Sequence, residues 1–249
     1  MNASFGYPGE GPILSGPYPG DPIGSMYGVV GTLTALNYRK KTGKGQHVDI
    51  AQSEGVTTLI PEVIMEYIMN GRIRPRMGNR DDIMAPHGCY PCKGDDKWVA
   101  IAVGTDEQWR TLCQVMGNPD WSMDEKFSDQ FRRWQNQDEL NKLIAGWTKD
   151  FTHYEVMHKL QKVGVAAGVC LNVPELIEDP HIKQRGVFIT QNHPEAGKTI
   201  VYRSPWRSAL TAKNPPAPCL GEHNGYVFKT LLGMSDSEIS RLTEDNVIY

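Results

Sequence analysis

Between Pro22 and Gly43 the chain repeats apolar residues at helical spacing: Ile23, Met26, Tyr27, Val30, Leu33 and Leu36. A proline stands at the first helical position, and Arg39, Lys40 and Lys41 close the run before Gly43, so both ends of one long helix are signed. Gly24, Gly28 and Gly31 fall on nearly one face, which costs helix propensity but lets another backbone come close. The turn Thr42-Gly43-Lys44-Gly45-Gln46 and a short strand, His47 to Ala51, are predicted next. A second helix is predicted from Glu54 to Met69, ending at Asn70-Gly71. Helix, strand and helix in this order suit an α/β layer architecture.

Ahead of that helix, Gly6, Gly9, Gly11, Gly16 and Gly20 alternate with Pro8, Pro12, Pro17 and Pro19, a composition that reads as extended loop. Behind it, residues 71–86 carry Arg72, Arg74, Arg76, Arg80, Pro75 and Pro86 and read as a linker between two domains. A hairpin is then expected, Gly88 to Cys92 and Lys97 to Val103 around the turn Lys93-Gly94-Asp95-Asp96, its second strand almost wholly apolar and therefore buried. Helices are predicted at 105–116, 137–149 and 153–163, the last opened by the capping box Thr152 to Glu155. A strand over 165–173, one short helix over 174–186, a hairpin over 187–207 and two closing helices, 223–232 and 236–243, complete an α+β second unit. The expected division is therefore residues 1–70, a linker 71–86, a small α+β domain 87–210 and a C-terminal linker with helices, 211–249.

Several functions are excluded early. A net charge of −3 over 249 residues offers no basic face to follow a nucleic-acid backbone. Residues 23–38 are interrupted by three glycines and two threonines and fall short of an apolar bilayer span, so no membrane partner is expected. The first twelve residues have neither the positive end nor the apolar core of a signal peptide. Five scattered cysteines fit reduced thiols better than a disulfide framework, and a cytoplasmic protein is expected.

Asp21, immediately before Pro22, is predicted as a helix cap, worth about 1 kcal/mol. The same position suits a reactive carboxylate, because free N–H groups and the helix dipole favour the ionised form that attacks an acyl carbon. Gly20 and Gly24 would let a bulky substrate reach it. Cys89 and Cys92 form a C-x-x-C beside His87, but no second ligand pair exists for zinc, and residues three apart on a strand face opposite ways, so no metal is expected. The basic run 39–45 ends a helix instead of opening one and lacks phosphate-loop spacing. The six tryptophans read as core. Met84 to Gly88, a loop before a buried strand, is a candidate pocket wall.

Three segments in order, Gly20 to Gly55, Met77 to Val103 and Pro218 to Asn224, resemble the class III CoA-transferases, the superfamily of formyl-CoA transferase, carnitine CoA-transferase and α-methylacyl-CoA racemase. The resemblance implies an α/β fold: the remainder of a Rossmann-like large domain plus a smaller α+β domain, in an interlocked oligomer. It places the family's catalytic carboxylate on Asp21 and makes Gly20, Gly24, His87 and Gly88 candidate pocket residues. The implied substrates are an acyl-CoA and a carboxylic acid, with coenzyme A thioester as substrate and no covalently bound cofactor. The family's glycine-rich active-site loop corresponds to Met84-Ala85-Pro86-His87-Gly88, a departure that weakens formyl or oxalyl specificity.

The family's Rossmann-like front segment, which holds most of the CoA, has no counterpart in the sequence. A second chain carrying that segment is therefore the expected partner, in a homo- or hetero-oligomer. Two alternatives stand beside the transferase: a 2-methylacyl-CoA racemase, in which Asp21 would shuttle an α-proton, and a silent scaffold subunit of a transferase complex.

Overall fold

The structure is a computed structural model that describes residues 4–13, 16, 18–206 and 215–248. The domain boundary expected at 210/211 lies outside them. Contacts divide the chain after Cys170 into two compact units, Met1–Cys170 and Leu171–Tyr249.

The first unit opens with helix α1, Gly20–Thr42, two residues earlier than the proline suggested, and Gly43 ends it in the left-handed conformation at φ 75°. No residue of α1 is buried, and Met26, Val29, Val30 and Leu33 are each about three-fifths exposed. The strand predicted at 47–51 does not form: among the described residues no strand pairs with it, and residues 44–51 run without regular structure. The single helix predicted over 54–69 is two, α2 at Gln52–Thr57 and α3 at Pro61–Asn70, because Pro61 has no N–H to continue the ladder and instead opens the second helix. Gly55 of α2 is buried, and a Cβ there would stand 3.1 Å from the Tyr27 ring and 3.2 Å from Ile23, so α1 and α2 meet at a glycine the sequence reading passed over.

The core belongs to a three-stranded antiparallel sheet in the order β1 (His87–Pro91), β2 (Trp98–Ala102), β3 (Ala166–Cys170). Directly paired residues share a face. Tyr90 pairs with Val99 and Gly88 with Ile101, and this face is buried under α4 (Asp106–Val115), α6 (Gln137–Thr148) and α7 (His153–Gln161). Val99, Val103, Leu112, Leu140, Ile144, Val156 and Leu160 are fully enclosed there. The expectation that β2 is buried throughout is corrected: its pattern alternates, with Ala100 and Ala102 on the opposite, uncovered face. The tryptophans also divide, Trp109 entering the core and Trp206 remaining 70% exposed.

Helix α5, Gln130–Gln135, was not foreseen; its one signal is the N-cap Asp129, which accepts a hydrogen bond from the Arg132 N–H. In the second unit, the helix expected over 174–186 is broken at Pro180 into α8 (Val173–Glu178) and α9 (Pro180–Arg185). The hairpin there is β4 (Phe188–His193) with β5 (Gly197–Tyr202), and α10 (Asp236–Glu244) opens with a capping box, Ser235 to Glu238.

Candidate functional site

Asp21 does not cap α1. The N-cap is Pro19, itself near-helical at φ −65° and ψ −16°, and Asp21 stands inside the first turn. The tertiary contact outweighs the local cap preference: Oδ1 of Asp21 accepts a hydrogen bond from Nε2 of Gln52, the first residue of α2, across 3.1 Å. The carboxylate is solvent-exposed, at an end of the helix where unpaired N–H groups favour negative charge.

Gly20 and Gly24 both face Gln52. A Cβ on Gly24 would stand 2.9 Å from Cγ of Gln52, and one on Gly20 would be 3.8 Å from its Oε1. The room beside Asp21 is filled by Gln52, so these glycines admit the side chain that holds the carboxylate. Gly31 similarly admits Val48, whereas among the described residues nothing lies within 4 Å of a Cβ placed on Gly28. Gln52 is the residue that sequence reasoning missed; the only trace of it was its place at the head of the segment before α3.

His87 and Gly88 lie at a second location, a trough of about 460 Å³ over the uncovered face of the sheet. None of its lining residues comes from α1. Ala100, Ala102, Ala166 and Gly168 form its floor, with Cys89 and His87 at one edge and Gly78, Asn79 and Arg80 beside them. Gly88 borders the trough through its backbone, while a Cβ there would point toward Tyr90 on the core side, 3.4 Å from the phenol oxygen. That phenol is pushed up by burial and donates to Oδ1 of Asn141 at 2.7 Å.

The loop that leads into β1, residues 81–85, lies outside the trough's lining and is fixed from behind. Gln130 Nε2 donates to the Ile83 carbonyl, Arg133 Nε to that of Ala85 and Trp134 Nε1 to that of Asp81, each across 3.0 Å. Arg133 is wholly buried, pairs with Asp106 at 2.6 Å and lies over the Trp109 ring. Asp81 accepts from the N–H groups of Ile83 and Met84, both at 2.9 Å. Partial burial pushes its carboxyl up, but the Met84 and Ile83 bonds together with the charges of His87 and Arg74 bring it below the usual carboxylate range.

Cys89 and Cys92 diverge as strand geometry requires, one exposed and one buried. Among the described residues no group of three or more His, Cys, Asp or Glu could hold a metal ion, and no helix is long and apolar enough to cross a membrane.

The sequence profile of CoA-transferase family III matches residues 1–224. The succinyl-CoA–D-citramalate CoA-transferase of Chloroflexus aurantiacus is 33% identical over 250 residues, covering 100% of this chain and 62% of that protein. The alpha subunit of a succinyl-CoA–L-malate CoA-transferase from the same organism is also 33% identical, over 98% of this chain and 57% of its own length. Among solved structures, a CAIB/BAIF family protein from Brucella suis superimposes with a TM-score of 0.80 at 28% identity, over 92% of this chain and 60% of that one. The chain thus spans about three-fifths of the length of the relatives it matches. With its mixed α/β architecture matching that fold and the family profile running through both units, the chain belongs to CoA-transferase family III.

Proposed function

We propose that the chain is the catalytic-carboxylate part of a class III CoA-transferase. One observation carries this reading: in a family III chain, the residue matching the family's carboxylate is exposed in the first turn of a helix and held by a neutral donor, Gln52. Asp21 attacks the thioester carbonyl of an acyl-CoA; an aspartyl-acyl anhydride forms and the C–S bond breaks, releasing CoA thiolate. The thiolate then attacks the aspartyl carbonyl, freeing the donor acid as its carboxylate and leaving an aspartyl-CoA thioester. An acceptor carboxylate takes over the CoA by the same two steps in reverse.

Residues 1–70 supply this part of a Rossmann-like large domain, 71–86 lead out of it, 87–210 form the small domain, and 211–249 return to the large one. A second segment or chain supplies the CoA-binding half, and the assembly is an interlocked oligomer acting in the cytoplasm. The apolar residues that α1 leaves uncovered support a missing partner surface, as do the greater length of the relatives and the existence of one relative as a subunit.

Turnover with succinyl-CoA in the presence of hydroxylamine or borohydride tests the reading by peptide mass spectrometry. An adduct at Asp21, lost in Asp21→Ala, is the expected result. Exchange of the α-proton with solvent and no adduct would indicate racemase chemistry, and unchanged activity of Asp21→Ala in the complete assembly would make this chain a scaffold.

A further inference from the structure

We infer that Cys89 and Cys170 form a two-coordinate site for a soft univalent cation of the Cu(I) class, held between their sulfurs on the open face of the three-stranded sheet. The inference goes beyond the transferase reading and does not rest on it.

The strand register places the two thiols, both within the first unit. Cys89 pairs with Ala100, and Ala100 with Gly168, so these three share one face. Cys170 stands two positions beyond Gly168 on β3 and therefore lies on that face too. Both cysteines are exposed, and their thiols are within hydrogen-bonding reach of each other. The residues between them are small: Ala100 offers one methyl group, and a Cβ on Gly168 would meet nothing within 4 Å among the described residues. Trp98, opposite Cys170 on β2, gives its indole N–H to Asp96 of the hairpin turn at 2.8 Å. Cys92 belongs to the core side, where it is buried and directs Sγ to the Tyr90 carbonyl at 3.8 Å.

A direct S–S bond does not suit this pair. β2 runs between β1 and β3 and sets their backbones two strand spacings apart, roughly 9.6 Å, beyond what a disulfide spans. A redox sensor also relies on a depressed thiol, whereas Cys89 is pushed up by burial and by Cys170 beside it. A cation between the sulfurs takes the place of the thiol protons and removes that penalty. Two metal–sulfur bonds of about 2.3 Å let the sulfurs stand apart by up to about 4.6 Å.

Thiolates select soft metals, and two of them satisfy Cu(I). Zn²⁺ takes four ligands, and among the described residues no group of three or more His, Cys, Asp or Glu could supply them. On binding, two S–H bonds give their protons to solvent, two S–Cu bonds form and copper remains Cu(I). The product carries one negative charge, and Arg80 and His87 border the same trough as Cys89.

Anaerobic titration of the reduced full chain with Cu(I), against the chromogenic chelator ferrozine, tests the site, with Zn²⁺ as a second probe. Expected are uptake of about one Cu(I) per chain, its loss in Cys89→Ser and in Cys170→Ser, its retention in Cys219→Ser, and no retention of Zn²⁺. Thermal unfolding of the variants is expected to match wild type because both positions are exposed, and Cys89→Ala and Cys170→Ala repeat the test with a second side chain. No uptake by the wild-type chain, full uptake in a variant of either cysteine, or Zn²⁺ held by the same two residues would overturn the proposal. So would a Cys89–Cys170 disulfide formed with oxidised glutathione and found by peptide mass spectrometry. All of these readouts are taken without turnover, so failure of the transferase reading would be seen separately.

Discussion

Gln52 and Asp21 meet across 3.1 Å, the amide of one helix start against the carboxylate of another. The bond fixes a side chain that would otherwise sample several rotamers in solvent. Replacing Gln52 with Ala is expected to lower kcat of the complete transferase about fivefold, the worth of one neutral hydrogen bond of roughly 1 kcal/mol. Gln52→Glu, which sets a like charge against the carboxylate, should lower it further. Steady-state kinetics check both, with unfolding curves expected to match wild type because the pair is exposed.

Gly24→Ala should reproduce the loss in Gln52→Ala, since the new methyl would stand 2.9 Å from Cγ of Gln52 and turn that side chain away. The two changes are therefore expected to be non-additive. A double-mutant cycle on kcat tests this: a double variant no worse than either single one is the expected result, and simple multiplication of the two losses would mean that Gly24 acts independently of Gln52.

Arg133→Met is expected to destabilise the first unit by about 2–4 kcal/mol, because it strands the carbonyls of Ala85 and Phe127 and removes the partner of Asp106. Urea unfolding followed by Trp109 fluorescence measures this. Gln130→Ala, which removes a single bond to the Ile83 carbonyl, should cost about 1 kcal/mol or less.

Acid should weaken the fold in a defined window. Asp81 is held below the ordinary carboxylate range, and Glu155 and Asp124 are lowered by backbone N–H bonds from Thr152 and Lys126 respectively. Groups whose folded-state value is depressed bind fewer protons folded than unfolded. Their stabilisation is complete above the unfolded values, about 3.9 for Asp and 4.3 for Glu, and is lost as pH falls through the lower folded ones. Chemical-denaturation midpoints between pH 6 and pH 3 should decline at the acid end, and Asp81→Asn should show a shallower decline.

The helical half of the fold was legible where its signals are local. Capping boxes at Thr152 and Ser235 and the turn glycine Gly43 mark ends that the structure reproduces, because each acts within one turn of chain. What failed depends on neighbours. The residues 47–51 have a strand's composition and no strand beside them, and Asp21 has a cap's position but a partner 31 residues away in Gln52. The trough was half legible. His87 and Gly88 could be placed near a pocket, but the floor at Ala100 and Gly168 required the strand register, which alternation alone does not supply for so short and apolar a run.

Helix α5 grips the loop by its main-chain oxygens at Asp81, Ile83 and Ala85. Every amino acid carries such an oxygen. The exposed positions of that loop, Asp82 and Ile83, can therefore exchange their side chains without loosening the grip. A lineage, or an engineer, can rewrite what this loop shows to solvent while the polypeptide beneath keeps its course. The constraint on variation is carried by Arg133 and Trp134, residues from which the trough itself is not built.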